Sequence, residues 1–192
     1  IQPDQKTIEY IKSKTDREFE VFTTDSGYKY YMEYQFNIED LKPQAAKPDN
    51  IDDVDDIENI EPVEIHQAFI GTCTGGRLED IETAVKILKG RRINPKTRLV
   101  VIPASKGVYL EAVKKGYIEE LIKAGAVISA PGCGPCLGAH QGVLAPGEYC
   151  VTTSSRNFPG RMGSTEARIF CVSPATAAAT ALEGKLADPR KY

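Results

Sequence analysis

The sequence predicts an α/β fold, with a mainly parallel sheet in a three-layer α/β/α domain that is preceded by a short α+β segment and an acidic linker. Two observations carry this expectation. Beyond Glu64, short apolar strands alternate regularly with helical segments, and the strands are too uniformly apolar to keep one face in water. Strands of that kind are buried on both faces, as in parallel sheets covered by helices.

The elements of this region follow in order. Ala68-Phe69-Ile70 is the first strand. Leu78 to Leu88 is a helix because Ile81, Ala84, Val85 and Leu88 share one face, and Gly90 stops it. Leu99 to Ile102 is the next strand, followed by helices from about Lys106 to Lys115 and from Ile118 to Lys123, the second ending at Gly125. Ala126 to Ile128, Tyr149 to Thr152 and Ile169 to Val172 complete the strands. Ser173 caps, and Pro174 starts, an alanine-rich last helix to Leu182.

The amino-terminal part differs. Asp4 can cap a helix reaching about Thr15, with Ile8 and Ile11 on its apolar face. From Tyr28 to Ile38, the residues Tyr28, Tyr30, Met32, Tyr34 and Phe36 alternate with Lys29, Tyr31, Glu33 and Gln35, the period of a half-buried strand. Lacking interleaved basic residues, this aromatic stripe reads as a core face, not a base-stacking platform. Asp49 to Glu61 holds seven acidic residues and no basic ones, so it reads as a solvated linker. Its spacing does not match a calcium loop.

Composition narrows the function. A chain of 192 residues, 41% hydrophobic and 27% charged, suits one core with an appendage. The net charge of -3 offers no basic footprint for nucleic acid. No apolar run approaches the ~20 residues of a membrane span, and the start, Ile1-Gln2-Pro3-Asp4, lacks a signal-peptide pattern. A soluble, cytoplasmic chain is expected, and Ile1 in place of Met suggests a processed chain or a fragment. Five cysteines without a secretory signal favour metal or redox chemistry over disulfides.

That chemistry sits in three loops, each following a strand. In a parallel sheet they emerge at one edge, where ligands bind. The first is Gly71 to Arg77, with Cys73 near the start of a helix; its Gly75-Gly76 pair lacks phosphate-loop spacing. The second is Pro131 to Gly138, with Cys133 and Cys136; the third is Ser154 to Arg161. Three chemistries are open for the cysteines. Cys133 and Cys136 match a thiol-disulfide pair; with Cys73 and His140 they could form a four-ligand zinc site in a binding module. Held by Cys73, Cys133 and Cys136 alone, an iron-sulfur cluster keeps one iron open as a Lewis acid. His66 precedes the first strand and falls at the far end of the sheet. Arg156 and Arg161, accompanied by Ser154, Ser155 and Asn157, suit carboxylates, because guanidinium forks pair with them bidentately. Arginines of this kind beside an open iron favour reversible dehydration of a hydroxy-polycarboxylic acid.

Three motifs, Ile70-Gly-Thr-Cys-Thr-Gly-Gly-Arg77, Cys133-Gly-Pro-Cys-Leu-Gly138 and Ser155-Arg-Asn-Phe-Pro-Gly-Arg161, together resemble the aconitase superfamily, specifically the large subunits of 3-isopropylmalate dehydratase and homoaconitase. The resemblance runs from about Val63 to Tyr192 and implies an aconitase domain 3-like fold. It implies that Cys73, Cys133 and Cys136 ligate a 4Fe-4S cluster, and that Arg156, Arg161 and Ser155 bind a small polycarboxylate substrate. Cys150 and Cys171 match no ligand position and fall in strands. Members usually carry Asn at the positions of Gly75 and Ser155. In the family, catalytic His and Asp residues lie in two preceding domains, and the serine base comes from a separate small subunit. By resemblance, then, residues 1–48 are the tail of a preceding domain, 49–62 an acidic linker and 63–192 the cluster-binding domain. The implied material is a carboxyl-terminal fragment of a hydro-lyase of leucine or lysine biosynthesis, inactive alone, whose partners are the small subunit and the remaining domains.

Overall fold

The structure, a computed structural model, describes residues 2–192. The chain forms two units, one ending at Leu41 and one running from Lys42 to Tyr192. In the first, helix α1 (Gln5–Lys12) is capped by Asp4, whose carboxylate accepts from the Thr7 amide at 2.7 Å. None of its residues is buried. The strand expected over 28–38 does not form. The segment is extended and ends in a 3₁₀ turn (Ile38–Asp40), and its aromatics lie open to solvent, Tyr31 at 99% and Phe36 at 78%. Alternation defines a face, but a strand also needs a neighbour for its backbone. Here aromatic neighbours two residues apart pack on each other, Tyr28 edge-on to Tyr30 and Tyr34 stacked on Phe36.

The second unit holds the sheet. Its elements are β1 (Gln44–Ala46), β2 (Val54–Asp56), β3 (Gln67–Gly71), α2 (Thr72–Gly75), α3 (Leu78–Leu88), β4 (Arg98–Ile102), α4 (Lys106–Lys114), α5 (Tyr117–Ala124), β5 (Val127–Ile128), β6 (Tyr149–Thr152), β7 (Arg168–Cys171) and α6 (Pro174–Glu183). The sheet order is β2-β1-β7-β6-β3-β4-β5. From β7 to β5 every pairing is parallel, as expected, while β1 runs antiparallel to β2 and β7.

The two antiparallel strands correct the expected linker. Residues 49–62 do not form a free tether. Val54–Asp56 pairs with Gln44–Ala46, and a 3₁₀ turn (Ile57–Asn59) follows it and buries Ile57. Edge pairing is made by backbone amides and leaves the acidic side chains in solvent, so charge density concealed the strand. Lys47 further offsets that charge by pairing with Asp53 at 2.9 Å.

Side chains alternate across the sheet into two cores. Ala68, Ile70, Leu99, Val101, Val151 and Phe170 face α3, α4, α5 and α6. Phe69, Val100, Ile102, Cys150 and Ile169 face the opposite way, where Leu144, Met162 and Ala167 cover them. Both faces are therefore covered, as a three-layer α/β/α arrangement requires, and the second covering layer descends directly from the loops that carry the candidate site.

Candidate functional site

The three loops leave the carboxyl ends of β3, β5 and β6. Parallel register aligns those ends, with Gly71 opposite Ile102, Phe69 opposite Thr152 and Val101 opposite Ile128. The first loop is a one-turn helix carrying Cys73, entered through Thr72 in the left-handed region at φ 69°. A Thr there is strained and must be held by its surroundings. The Thr153 hydroxyl supplies that hold. It accepts from the Gly71 amide and donates to the Gly75 carbonyl, each at 3.0 Å. A Cβ at Gly75 would stand 2.5 Å from the Thr153 carbonyl oxygen, so glycine is required for this approach. The Gly76 carbonyl in turn accepts from the Ala104 amide at 2.7 Å, joining this loop to the one after β4. Cys73 stays exposed.

In the second loop, Cys133 precedes a 3₁₀ turn (Gly134–Leu137) that contains Cys136. Cys133 is exposed, whereas Cys136 is half-buried against the second core. The pair does not open an α-helix, as the thiol-disulfide reading requires. Gly138 closes the turn at φ 79°, and a Cβ there would meet the carbonyl oxygens of Gly160 and Arg161 at 3.2 and 3.3 Å. Cysteine loop and arginine loop thus touch backbone to backbone.

Side chains extend that contact. A terminal nitrogen of Arg161, Nη2, donates to Cys136 Sγ at 3.5 Å, and the guanidinium lies 5.6 Å from the Phe158 ring centroid. Its Nε is buried with no hydrogen-bond partner. Arg156 differs: it is exposed and has no ion pair among the described residues. Ser155 is exposed beside it, and Ser154 is buried, bonding the Thr152 hydroxyl at 3.0 Å. Buried Asn157 anchors the loop from the other side, donating to the Lys47 carbonyl at 2.6 Å.

All five cysteines are free thiols. Burial pushes the Cys150 thiol far up and that of Cys171, near Cys136 and the Arg156 amide, to about 11. Both lie in strands, as expected, Cys150 fully buried and Cys171 half-buried. Among the described residues, no three His, Cys, Asp or Glu side chains are grouped to surround one metal ion. Neither the zinc set of Cys73, Cys133, Cys136 and His140 nor the three cysteines by themselves are gathered around one point, and exposed His140 sits at φ 75° in a loop. His66 is structural: its Nδ1 accepts from the Tyr149 amide at 3.1 Å. Two contributors escaped sequence reasoning. Thr153 is signalled only by being the first residue past β6, and the Lys47 carbonyl by nothing local.

Comparison with known proteins bears on this geometry. The profile of the aconitase family (aconitate hydratase) matches residues 1–184. The chain is 48% identical to the 3-isopropylmalate dehydratase large subunit 1 of Methanopyrus kandleri over 192 residues, all of this chain and 46% of that protein. It is 42% identical to the probable methanogen homoaconitase large subunit of Methanothermobacter thermautotrophicus over 191 residues, covering 45% of that protein. The 3-isopropylmalate dehydratase large subunit of Thermoanaerobacter is 46% identical over 188 residues, 98% of this chain and 45% of that protein. The chain thus spans about half the length of the curated relatives it matches. Dehydratases of this kind are hydro-lyases that generally use a 4Fe-4S cluster, and the name large subunit implies a separate small one. Among the described residues no helix is long and apolar enough to cross a membrane. With three motif loops at one sheet edge and a profile match over nearly its whole length, the chain belongs to the aconitase family.

Proposed function

We propose that this chain is the cluster-binding part of the large subunit of a hydro-lyase that isomerises a hydroxy-polycarboxylic acid by dehydration and rehydration through a cis-unsaturated intermediate. The contact of Arg161 with Cys136 is the observation that carries the reading, because it brings a carboxylate-binding loop onto a cysteine loop. Three thiols suit a cluster that keeps one iron open, whereas a closed structural zinc site takes four ligands. The thiols come from two loops at one sheet edge, Cys73 from the first and Cys133 and Cys136 from the second, two exposed and one half-buried. Cys73, Cys133 and Cys136 are the proposed ligands. When bound, such a cluster supplies an open iron that polarises a hydroxyl or carboxylate.

The chain's own residues do the rest of the work assigned to it. Arg156 and Arg161 hold substrate carboxylates through charge-assisted forks and favour the charge that develops there, with the Ser155 hydroxyl beside them. Thr153 and Asn157 hold the loops in place. The proton-abstracting base and further site residues are assigned to the small subunit and the rest of the large subunit. Isopropylmalate and homocitrate share the reacting end and are equal candidates for this chain. The test is anaerobic reconstitution of the full-length large subunit, followed by assay with its small subunit against isopropylmaleate and cis-homoaconitate. Iron and acid-labile sulfide in near equal amounts, with hydration of either acid, are expected; stoichiometric zinc without sulfide overturns the reading.

A further inference from the structure

Gln67 is a polar residue at a core position. It opens β3, where alternation sets it on the same face as Phe69, opposite Cys150 in the register with β6, and it is completely buried. Both ends of its amide are bonded: Nε2 donates to the Gly142 carbonyl at 2.8 Å, and Oε1 accepts from Arg98 Nε at 3.2 Å. These partners fix which way the amide points, because a guanidinium only donates and a carbonyl only accepts. Arg98 is in turn held by Glu148 at 2.7 Å, and Glu148 accepts from the Ala145 amide at 2.8 Å. Gly142, at φ 87°, packs on Pro135: a Cβ built there would stand 3.3 Å from Pro135 Cγ and 3.7 Å from Gln67 Nε2. Pro135 is buried within the 3₁₀ turn Gly134–Leu137, one residue before Cys136.

We propose that Gln67 is a positioning residue for Cys136, setting the place of this half-buried thiol through the Gly142 carbonyl and Pro135. Calling that thiol a cluster ligand rests on the proposed function; the chain of contacts does not. A buried amide gains little net stability over a well-packed apolar side chain, and it costs more than it gains if either end goes unpaired. What a fully bonded buried amide does supply is one fixed arrangement of the groups it joins. Here it joins the amino end of β3 to the segment that returns from the cysteine turn toward β6. Gly142 lies in the left-handed region, where glycine gives the chain little stiffness of its own, so the tie from Gln67 decides where its carbonyl and the adjoining proline sit. Without that donor the Gly142 segment moves off Pro135, the turn loosens, and Cys136 opens to solvent. Cys73, on a loop held by Thr153, is not affected.

The experiment uses the full-length large subunit as wild type, Gln67→Met and Gln67→Glu, each metal-free and after anaerobic reconstitution with iron and sulfide. Met keeps the length of the side chain and removes the amide; Glu keeps an acceptor for Arg98 and, as a carboxylate, removes the donor to Gly142. In the metal-free proteins, alkylation of each cysteine by iodoacetamide is followed by peptide mass spectrometry. Cys136 is expected to react at least about fivefold faster in both variants, with Cys73 and half-buried Cys171 within about twofold of wild type. In the reconstituted proteins, iron is expected to pass to a chelator about tenfold faster in Gln67→Met, the effect of losing one buried hydrogen bond, with a changed electron paramagnetic resonance spectrum of the reduced cluster. A wild-type rate at Cys136 in Gln67→Met overturns the proposal, and so does an equal rise at Cys136 and Cys171, which marks general loosening. Wild-type iron release and spectrum in a loaded Gln67→Met overturn it as well. If Gln67→Met does not fold by circular dichroism, Gln67→Glu is judged by the same criteria. A wild-type subunit that takes up no iron and sulfide overturns the cluster reading, whereas the metal-free alkylation still decides the role of Gln67.

Discussion

The Thr153 hydroxyl donates to the Gly75 carbonyl at 3.0 Å and accepts from the Gly71 amide at the same distance, so one side chain past β6 closes the turn that carries Cys73. Strain at Thr72 and exposure of Cys73 are both tolerated because of that clamp. Removing the hydroxyl leaves two backbone groups in a buried place without partners. Thr153→Val is therefore expected to lower unfolding free energy by about 2–6 kcal/mol, at about 1–3 kcal/mol for each of the two orphaned groups. Thr153→Ser, which keeps the hydroxyl, is expected to cost less than about 1.5 kcal/mol. Urea unfolding of the three proteins checks the order, and equal losses for Val and Ser remove the clamp.

The same contact leaves no room for a side chain at position 75. With the Thr153 carbonyl 2.5 Å from where a Cβ would be built, any side chain must push β6 and its loop outward. Gly75→Ala is expected to destabilise by about 1–3 kcal/mol, the usual cost of overpacking. Gly75→Asn is expected to cost no less. An unchanged melting temperature for Gly75→Ala means that the loop after β6 yields freely.

Much of the second unit is legible in the sequence, and the reason is physical. The helix over Leu78–Leu88 and the strands beginning at Gln67, Arg98 and Tyr149 are set by local periodicity that packing reinforces. β1 and β2 are not legible, because three-residue strands are too short for a period and draw their stability from backbone pairing, β1 with β7 and β2 with β1. Tyr28 to Phe36 has the period but lacks a pairing neighbour within its unit. In the site, the residue types are legible as motifs and their shared edge follows from parallel topology. The Arg161–Cys136 and Thr153–Gly75 contacts span 25 and 78 residues and depend on how loops fold over strand ends, which no local pattern encodes.

Thiol accessibility separates proposed ligands from bystanders. Cys73 and Cys133 are exposed, while Cys150 is fully buried with its thiol pKa raised by burial. In the metal-free chain at pH 8, iodoacetamide is expected to label Cys73 and Cys133 first, and Cys150 only on unfolding. Peptide mass spectrometry over time reads the order. Early labelling of Cys150 contradicts the packing of the second core around Phe69, Ile102 and Met162.

Acid stability has a local contributor at the opposite end of the sheet. Burial opposes ionisation of Glu148, but the Ala145 amide at 2.8 Å and Arg98 at 2.7 Å outweigh it, and its pKa is lowered. A carboxylate whose pKa is depressed on folding adds stability above its unfolded pKa, and loses it as pH falls through the folded value. The stability gap between wild type and Glu148→Gln is thus expected to be widest near pH 7, at about 1 kcal/mol. It should narrow once pH drops below about 4.3, the ordinary Glu value. A gap that grows toward pH 3 has the wrong sign for this pairing.

The aromatic stripe of the first unit makes a last prediction about assembly. Tyr30, Tyr34 and Phe36 stand 56%, 73% and 78% exposed along an extended backbone with no ladder partner in their unit. The segment has the period of a strand without the neighbour that would cover it, and the chain spans about half the length of its relatives. On the proposed reading of residues 1–48 as part of another domain, the missing neighbour is supplied by further large-subunit sequence. Two outcomes follow. Trypsin, added briefly to the 192-residue chain, is expected to cut after Arg17 or Lys29 while the unit from Lys42 onward stays whole, and removal of residues 1–41 is expected to shift its melting temperature by less than about 2 °C, equivalent to about 0.5 kcal/mol. In the full-length large subunit, hydrogen exchange across residues 28–36 is expected to slow by at least about tenfold as the backbone amides find partners. Rapid exchange there in the full-length subunit rules out a strand that forms by pairing with the rest of that subunit.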